Sequence, residues 1–170
     1  MILLKPIAPE RALFFKAVRL RALADSPTSF SGAYAREGQL SDEEWIRRSE
    51  RWSGDQAIGY LAFDTSNESE ACGLIACYAE EKDGVRSGHV ISMWVDPGYR
   101  RAGVGAMLID ALKTWARACG LRQLVLMVTS VNQGAMEFYR RIGFQMTGKT
   151  GPYPNDPAIV EYQMRAPLED

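Results

Sequence analysis

The apolar residues of this chain follow two rhythms, and the points where one gives way to the other mark its elements. The clearest helical stretch covers 104–118. Val104, Leu108, Ala111, Leu112, Trp115 and Cys119 recur there as one core-facing stripe, and Gly120 follows as a stop. Strands flank it at 87–95 and 121–128, the second rich in apolar and β-branched residues and suited to burial on both faces. Upstream, 2–4 predict a short strand closed off by Pro6. Pro9 opens a helix, where a missing N–H costs little, with Leu13, Phe14, Ala17, Val18 and 20–23 at helical spacing and a fade near Asp25-Ser26-Pro27. Residues 28–38, with Phe30 and Tyr34, read as a structured loop or short helical turn. Ser41 and Glu44 form a capping box for a second helix carrying Trp45, Ile46 and Trp52.

Gly54-Asp55 marks a turn, 57–63 a strand, 64–70 a polar connection and 72–79 another strand, with a hairpin turn at Lys82-Asp83-Gly84. Asn132 or Ser130 caps a last helix, whose buried side is Ala135, Phe138 and Ile142, with Tyr139 rotated off it and Gly143 as its end. Strands at 144–148 and 159–164 close the chain. Pro152, Pro154 and Pro157 predict irregular backbone between them. The order is β-α-α-β-β-β-α-β-α-β-β, without repeat, linker or low-complexity tract, and predicts one α/β domain over 1–170. The helical connection between 95 and 121 makes its flanking strands parallel neighbours, while short turns make the earlier strands antiparallel. The expected architecture is a mixed, mostly antiparallel sheet flanked by helices.

Composition narrows the function classes. A length of 170 residues suits one domain, and a net charge of −1 supplies no global basic field, so no nucleic-acid partner is expected. One histidine, His89, and three irregularly spaced cysteines, Cys72, Cys77 and Cys119, make neither a metal cluster nor a disulfide framework. The expectation is no metal and a reducing, cytoplasmic compartment. Cys72 and Cys77, five apart on one strand, are expected on opposite faces. No apolar run reaches the length of a membrane span, and the start is too short for a signal-peptide core, so no membrane partner is expected. Dimerisation is left open; a homodimer is compatible with all of this.

The candidate chemistry lies where strand 87–95 runs through Asp96-Pro97-Gly98-Tyr99 into Arg100-Arg101-Ala102-Gly103-Val104-Gly105 and the long helix. The first N–H groups of a helix have no internal partners, the helix dipole makes that end positive, and glycine lets an anion approach the backbone. Three glycine motifs compete for this segment. The Walker pattern fails because no lysine follows the last glycine. The dinucleotide fingerprint fails at Leu108, where its third glycine belongs, and at Met127-Val128-Thr129, where its ribose-binding acid belongs. The third pattern, Arg/Gln-x-x-Gly-x-Gly/Ala, is met by Arg100, Gly103 and Gly105.

With its context, the segment from Trp94 to Gly105 resembles the acetyl-coenzyme A signature of the GNAT superfamily of N-acetyltransferases. Asn132, Ala135, Phe138-Tyr139 and Gly143-Phe144 resemble that family's closing motif at the expected distance. The likeness is close over 87–144 and looser at both ends. It implies a sheet whose parallel strand pair splays at a cofactor cleft near Val95 and Val128, with acetyl-CoA as cosubstrate. It implies that backbone N–H groups of Arg101, Ala102, Gly103, Val104 and Gly105 cradle the pyrophosphate, with Arg100 at the entrance. Main chain of Met93, Trp94 and Val95 would line the pantetheine arm and polarise the thioester carbonyl, while the side chains of Met93 and Trp94 pack one on each face.

Tyr139 aligns with the family's frequent general acid, and a phenol of ordinary pKa ~10 suits a thiolate leaving group. Asn132 stands open between helix cap and cofactor contact. His89 lies six residues before Val95, where some relatives carry a base glutamate; an imidazole is a workable base, as are Glu80, Glu81, Glu161 or ordered water. Nothing near Cys119 suggests an activated thiol, so direct attack of a primary amine in a ternary complex is expected. The acceptor is expected to be a small molecule, with Phe30, Tyr34, Tyr153, Glu37 and Glu161 as candidate pocket walls. A protein or peptide acceptor, and a non-catalytic acyl-CoA sensor, are the alternatives.

Overall fold

The computed structural model describes residues 1–168. Its strands are β1 (Ile2–Pro6), β2 (Ala57–Asp64), β3 (Gly73–Lys82), β4 (Val85–Val95), β5 (Gln123–Thr129), β6 (Gln145–Tyr153) and β7 (Asp156–Pro167). Its helices are α1 (Ala12–Asp25), α2 (Tyr34–Glu37), α3 (Asp42–Arg51), α4 (Val104–Ala118) and α5 (Gln133–Arg141), with 3-10 turns at Pro9–Arg11, Pro27–Ser29 and Pro97–Tyr99. All seven strands join one sheet in the order β1-β2-β3-β4-β5-β7-β6. Only β4 and β5 run parallel. Asp83 and Gly84, with φ of 52 and 76, make the β3–β4 turn that an Asp-Gly pair favours.

Each sheet face carries its own core. Leu108, Leu112 and Ala116 of α4 and Met136 and Tyr139 of α5 pack with Ile75, Cys77, Val90, Leu124, Leu126 and Val128 on one face. Phe15, Val18 and Ala22 of α1 and Trp45 of α3 pack with Leu61, Phe63, Leu74 and Trp94 on the other. Each fully buried leucine or phenylalanine contributes about 1.5–3 kcal/mol, so both faces must be covered to hold the sheet. Ser41 caps α3 as predicted, its hydroxyl accepting from the Glu44 amide at 3.2 Å.

Four expectations are corrected. On α1 the buried stripe runs through Phe15 rather than Leu13, which is exposed. Leu13-Phe14-Phe15 permits two helical phases, and the edge contact of Phe15 on Trp45 at 5.2 Å selects one. On α5 the most buried residues are Met136 and Tyr139, so Tyr139 lies in the core rather than off it, with Ala135, Phe138 and Ile142 only partly covered. The segment 151–157 is largely strand. Pro152 and Pro157 are tolerated because β6 is a sheet edge and β7 pairs with β5 only from Glu161 onward. Cys72 precedes β3, so strand alternation does not apply to it, and it shares a core with Cys77.

Candidate active site

The site begins as a defect in pairing. β4 and β5 are in register only at Ser87↔Gln123, Gly88↔Leu124 and His89↔Val125; beyond these, β4 continues to Val95 and β5 to Thr129 without each other. On the other side of β4, Leu74 pairs with Trp94 and Ala76 with Ile91, so one β3 residue faces two of β4. This bulge centres on Ser92, whose φ of 58 is left-handed. A bulge bends and over-twists its strand, which carries β4 away from β5. It also re-phases the strand: Val90, Met93 and Val95 face the α4 core while Trp94 faces the α1 core.

Buried charge pins the bulge. Arg19 donates to Ser92 Oγ at 3.2 Å and forks onto Glu37 at 3.1 and 3.2 Å, and Arg48 reaches the same carboxylate at 3.3 Å. Glu37 is thus the counter-ion of Arg19 and Arg48. The Asp96 N–H donates to the carbonyl of Cys72 on the β3 side. Backbone groups alternate along a strand, so the Val95 N–H, and with it that of Met93, points the other way, into the gap β5 has left.

Arg100 is tied back onto the chain while its side chain stays about half exposed. Its Nε donates to the Val95 carbonyl at 2.9 Å and its Nη2 to Asp25 Oδ2 at 2.6 Å. Trp94 Nε1 donates to the same oxygen at 2.9 Å. The hydroxyl of Ser26, then Trp94 and Arg100, hold the Asp25 carboxyl below its usual range despite some desolvation. A lowered folded pKa stabilises the fold above the ordinary carboxylate value and is lost as pH falls through the folded one. Asp25→Ala should therefore weaken acetyl-CoA binding several-fold by freeing the loop, and lower stability near neutral pH more than in acid. Calorimetric titration and thermal melts at both pH values check this.

The loop into α4 has Arg101 and Gly103 in left-handed conformation, φ 64 and 82, and no side chain caps the helix. A Cβ on Gly103 would meet open space, and the first amides of α4 have no intrahelical partner. Ala102 is exposed beside them, whereas Val104 is buried and anchors the turn. Gly105 is tight: a Cβ there would lie 2.9 Å from the Phe138 ring and 3.1 Å from Met93 Cε. This contact draws α5 against the start of α4 below the gap. Asn132 caps α5, accepting from the Ala135 amide at 3.2 Å, and its Nδ2 donates to Ser29 Oγ at 2.9 Å. Tyr139 lies between Phe138 and Phe144, and burial pushes its phenol pKa up.

His89 sits at the last paired position of β4 and β5, at the base of the gap. Its Nε2 is 2.8 Å from Glu80 Oε2 and its ring stacks on Tyr78 at 5.0 Å. Its partner Val125 is four residues below the open end of β5, about 13 Å along the strand. On the α1 side a cavity of ≈ 340 Å³ is lined by Leu23, Tyr34, Tyr153, Asp156 and Ile159 among others. Tyr153 and Asn155, at the β6–β7 turn, clasp its rim through the carbonyls of Pro27, Phe30 and Ser31. Phe30 is buried beneath the guanidinium of Arg19.

The sequence pointed to the glycine loop, to Asn132 and to Tyr139, and missed Arg19, Asp25, Ser92 and Thr129. Thr129 had one signal, a hydroxyl closing an otherwise apolar run. Arg19 and Asp25 had none, because the β4 serine and the loop arginine that they hold lie 73 and 75 positions away.

This sheet, with one parallel pair parted at a bulge and an uncapped helix below the gap, is the frame of an acyl-transferring enzyme. The chain matches the model of the acetyltransferase (GNAT) family over residues 20–144, and it belongs to that family. It is 33% identical over 100 residues to an IAA acetyltransferase of Azospirillum brasilense, covering 59% of this chain and 63% of that one. It is 34% identical over 86 residues to an L-methionine sulfoximine/L-methionine sulfone acetyltransferase of Pseudomonas aeruginosa, covering 48% and 50%. The chain thus spans less than two thirds of the length of these relatives. An acetyltransferase of GNAT family from Streptococcus pneumoniae superposes with a TM-score of 0.79 at 26% identity, covering 99% of this chain and 100% of that one. Arabidopsis thaliana NAA60, in complex with a bisubstrate analogue, shares the fold with a TM-score of 0.75 at 15% identity, covering 99% and 100%.

Proposed function

We propose that this chain moves the acetyl group of acetyl-CoA to the primary amine of a small molecule by direct attack in a ternary complex. The observation that carries this reading is the gap between β4 and β5, which adjoins an uncapped helix start. The residues fit the cosubstrate. The main-chain amides of 101–105 suit a diphosphate. The free N–H groups of Met93 and Val95 suit the amides of a pantetheine arm and the oxyanion of a tetrahedral intermediate. The side chain of Arg100 serves the loop as a strut, and that of Trp94 anchors the strand.

Direct transfer is supported by the state of the thiols. Burial pushes Cys77 up to about 12 and raises Cys72, so neither offers a thiolate. Cys119 lies at the far end of α4, about 22 Å from its start. The amine nitrogen attacks the thioester carbon, the carbon–sulfur bond breaks, and Tyr139, held protonated by burial, donates to the departing sulfur. A small acceptor is supported by the clasp of the β6–β7 turn over the cavity and by the small-molecule substrates for which the Azospirillum and Pseudomonas relatives are named.

Free-thiol release with acetyl-CoA over a panel of small primary amines and short peptides tests this. The account expects release with small amines and little with peptides. Faster release with peptides would move the acceptor to a protein, and tight binding without release on any acceptor would favour an acyl-CoA sensor.

A further inference from the structure

One row of side chains at the open end of β5 has no use within the fold. Thr129 ends β5, is 3% exposed, and its Oγ1 has no hydrogen-bond partner. The uncompensated desolvation of a buried hydroxyl is unfavourable, and native structures seldom keep one without a reason. Directly opposite it on β7 is Glu161, and opposite Glu161 on β6 is Gly151. Residues paired across antiparallel strands share a face, so all three lie in one line. It is the face of the α1 core, because Val128 and Tyr162, one step along, pack on the α4 core. Ile159, two residues before Glu161 and on the same face, lines the ≈ 340 Å³ cavity. A Cβ on Gly151 would meet nothing within 4 Å, so the row is open at its β6 end.

No cation neutralises that carboxyl. Among the described residues, none forms a salt bridge with Glu161, and burial alone raises its pKa. The charged groups of the packed elements are otherwise placed. Lys149 on β6 and Asp156 at the turn are exposed, and Arg165 of β7 donates to Gln123. Arg36 of α2 turns to the Ser31 carbonyl, Tyr153 of β6 donates to the 27–30 segment, and Glu37 is held by two arginines. A half-buried carboxylate beside an unpartnered hydroxyl, next to an open cavity, is complementary to a group that brings N–H donors and a positive charge.

We propose that Glu161 and Thr129 form the ammonium-binding site of this enzyme and that Glu161 is the general base that deprotonates the acceptor. The inference rests on the N-acetyltransferase reading and names the class of group its acceptor presents. The substrate ammonium donates to the Glu161 carboxylate and to Thr129 Oγ1. One proton passes to Glu161, leaving the nitrogen lone pair free. That pair bonds to the thioester carbon as the carbon–sulfur bond breaks, and the second nitrogen proton balances the one delivered to sulfur. Glu161 then returns its proton to water, so each turnover releases one proton overall. His89, bonded to Glu80 and about 13 Å along the strand, stays a structural residue.

The test uses the full chain and Glu161→Gln, Thr129→Val and His89→Ala. Against amines turned over by the wild type, Glu161→Gln should lower kcat/KM by roughly 100-fold at neutral pH. Its deficit should shrink as pH approaches the pKa of the amine, with KM for acetyl-CoA unchanged. Thr129→Val should raise the acceptor KM while holding or raising the Tm, a pairing that a structural hydroxyl would not give. His89→Ala should keep the acidic limb. A wild-type pH profile in Glu161→Gln would overturn the base assignment and leave the acetyltransferase reading intact.

A second readout needs no turnover. Carboxyl NMR of Glu161 is followed through a pH titration with and without benzylamine or putrescine, and the amine should lower its apparent pKa. No change with either amine overturns the site. A shift in a protein that turns over no acceptor sinks the catalytic reading, and the base role with it, while the ammonium site stands.

Discussion

Gly103→Asp should abolish acetyl-CoA binding at concentrations that saturate the wild type. Gly103 sits at φ 82, where a side chain costs about 1–2 kcal/mol, so the loop relaxes away from this conformation. The new carboxylate projects into the open space above α4, where the diphosphate is proposed to lie. Like charges a few ångströms apart at a partly solvated site add about 1–4 kcal/mol. A combined loss of about 3 kcal/mol is roughly 100-fold in Kd. Gly103→Ala, which carries the backbone cost without the charge, should lose much less. Titration calorimetry on both variants, with circular dichroism to show that α4 persists, separates the two contributions. Equal affinity in Gly103→Asp and wild type would remove the diphosphate from this loop.

Tyr139→Phe should lower kcat by roughly 100-fold or more, the usual range for a lost general acid, with KM for acetyl-CoA almost unchanged. The ring keeps its packing on Phe138 and Phe144, so the Tm should stay within a few degrees of the wild type. Burial holds the phenol protonated beyond its ordinary range near ~10. The wild-type rate should therefore not fall at alkaline pH through loss of this proton. Unchanged kcat in the phenylalanine variant would make Tyr139 a packing residue and leave protonation of sulfur to water.

The sequence was most legible where chain-local chemistry decides the outcome. α4 runs over Val104–Ala118 as its pattern predicts, because left-handed glycines stand on both sides of it. The Asp-Gly turn and the Ser41 cap are equally local. The parallel pair followed from the helical connection. Legibility ended where two surfaces compete for one element. α5 lies between the sheet and the start of α4, so 135, 138 and 142 as well as 136 and 139 gain cover, and spacing alone chose the wrong set. The Ser92 bulge is hidden because 90, 91, 93, 94 and 95 are all apolar, which leaves no alternation to break. Arg100 resembled an outward cationic contact, and only the fold brings Asp25 to meet it. The family motifs marked the α4 loop and Tyr139, but the Thr129–Glu161–Gly151 row joins three strands and appears only once they pair.

The most direct test of the account is a crystal structure of the chain with acetyl-CoA bound. The account predicts the diphosphate on the amides of 101–105, the pantetheine arm in the gap between β4 and β5, and the thioester oxygen about 2.7–3.2 Å from a main-chain N–H of Met93 or Val95. A complex in which β4 and β5 close the gap and the thioester lies on another face would contradict it.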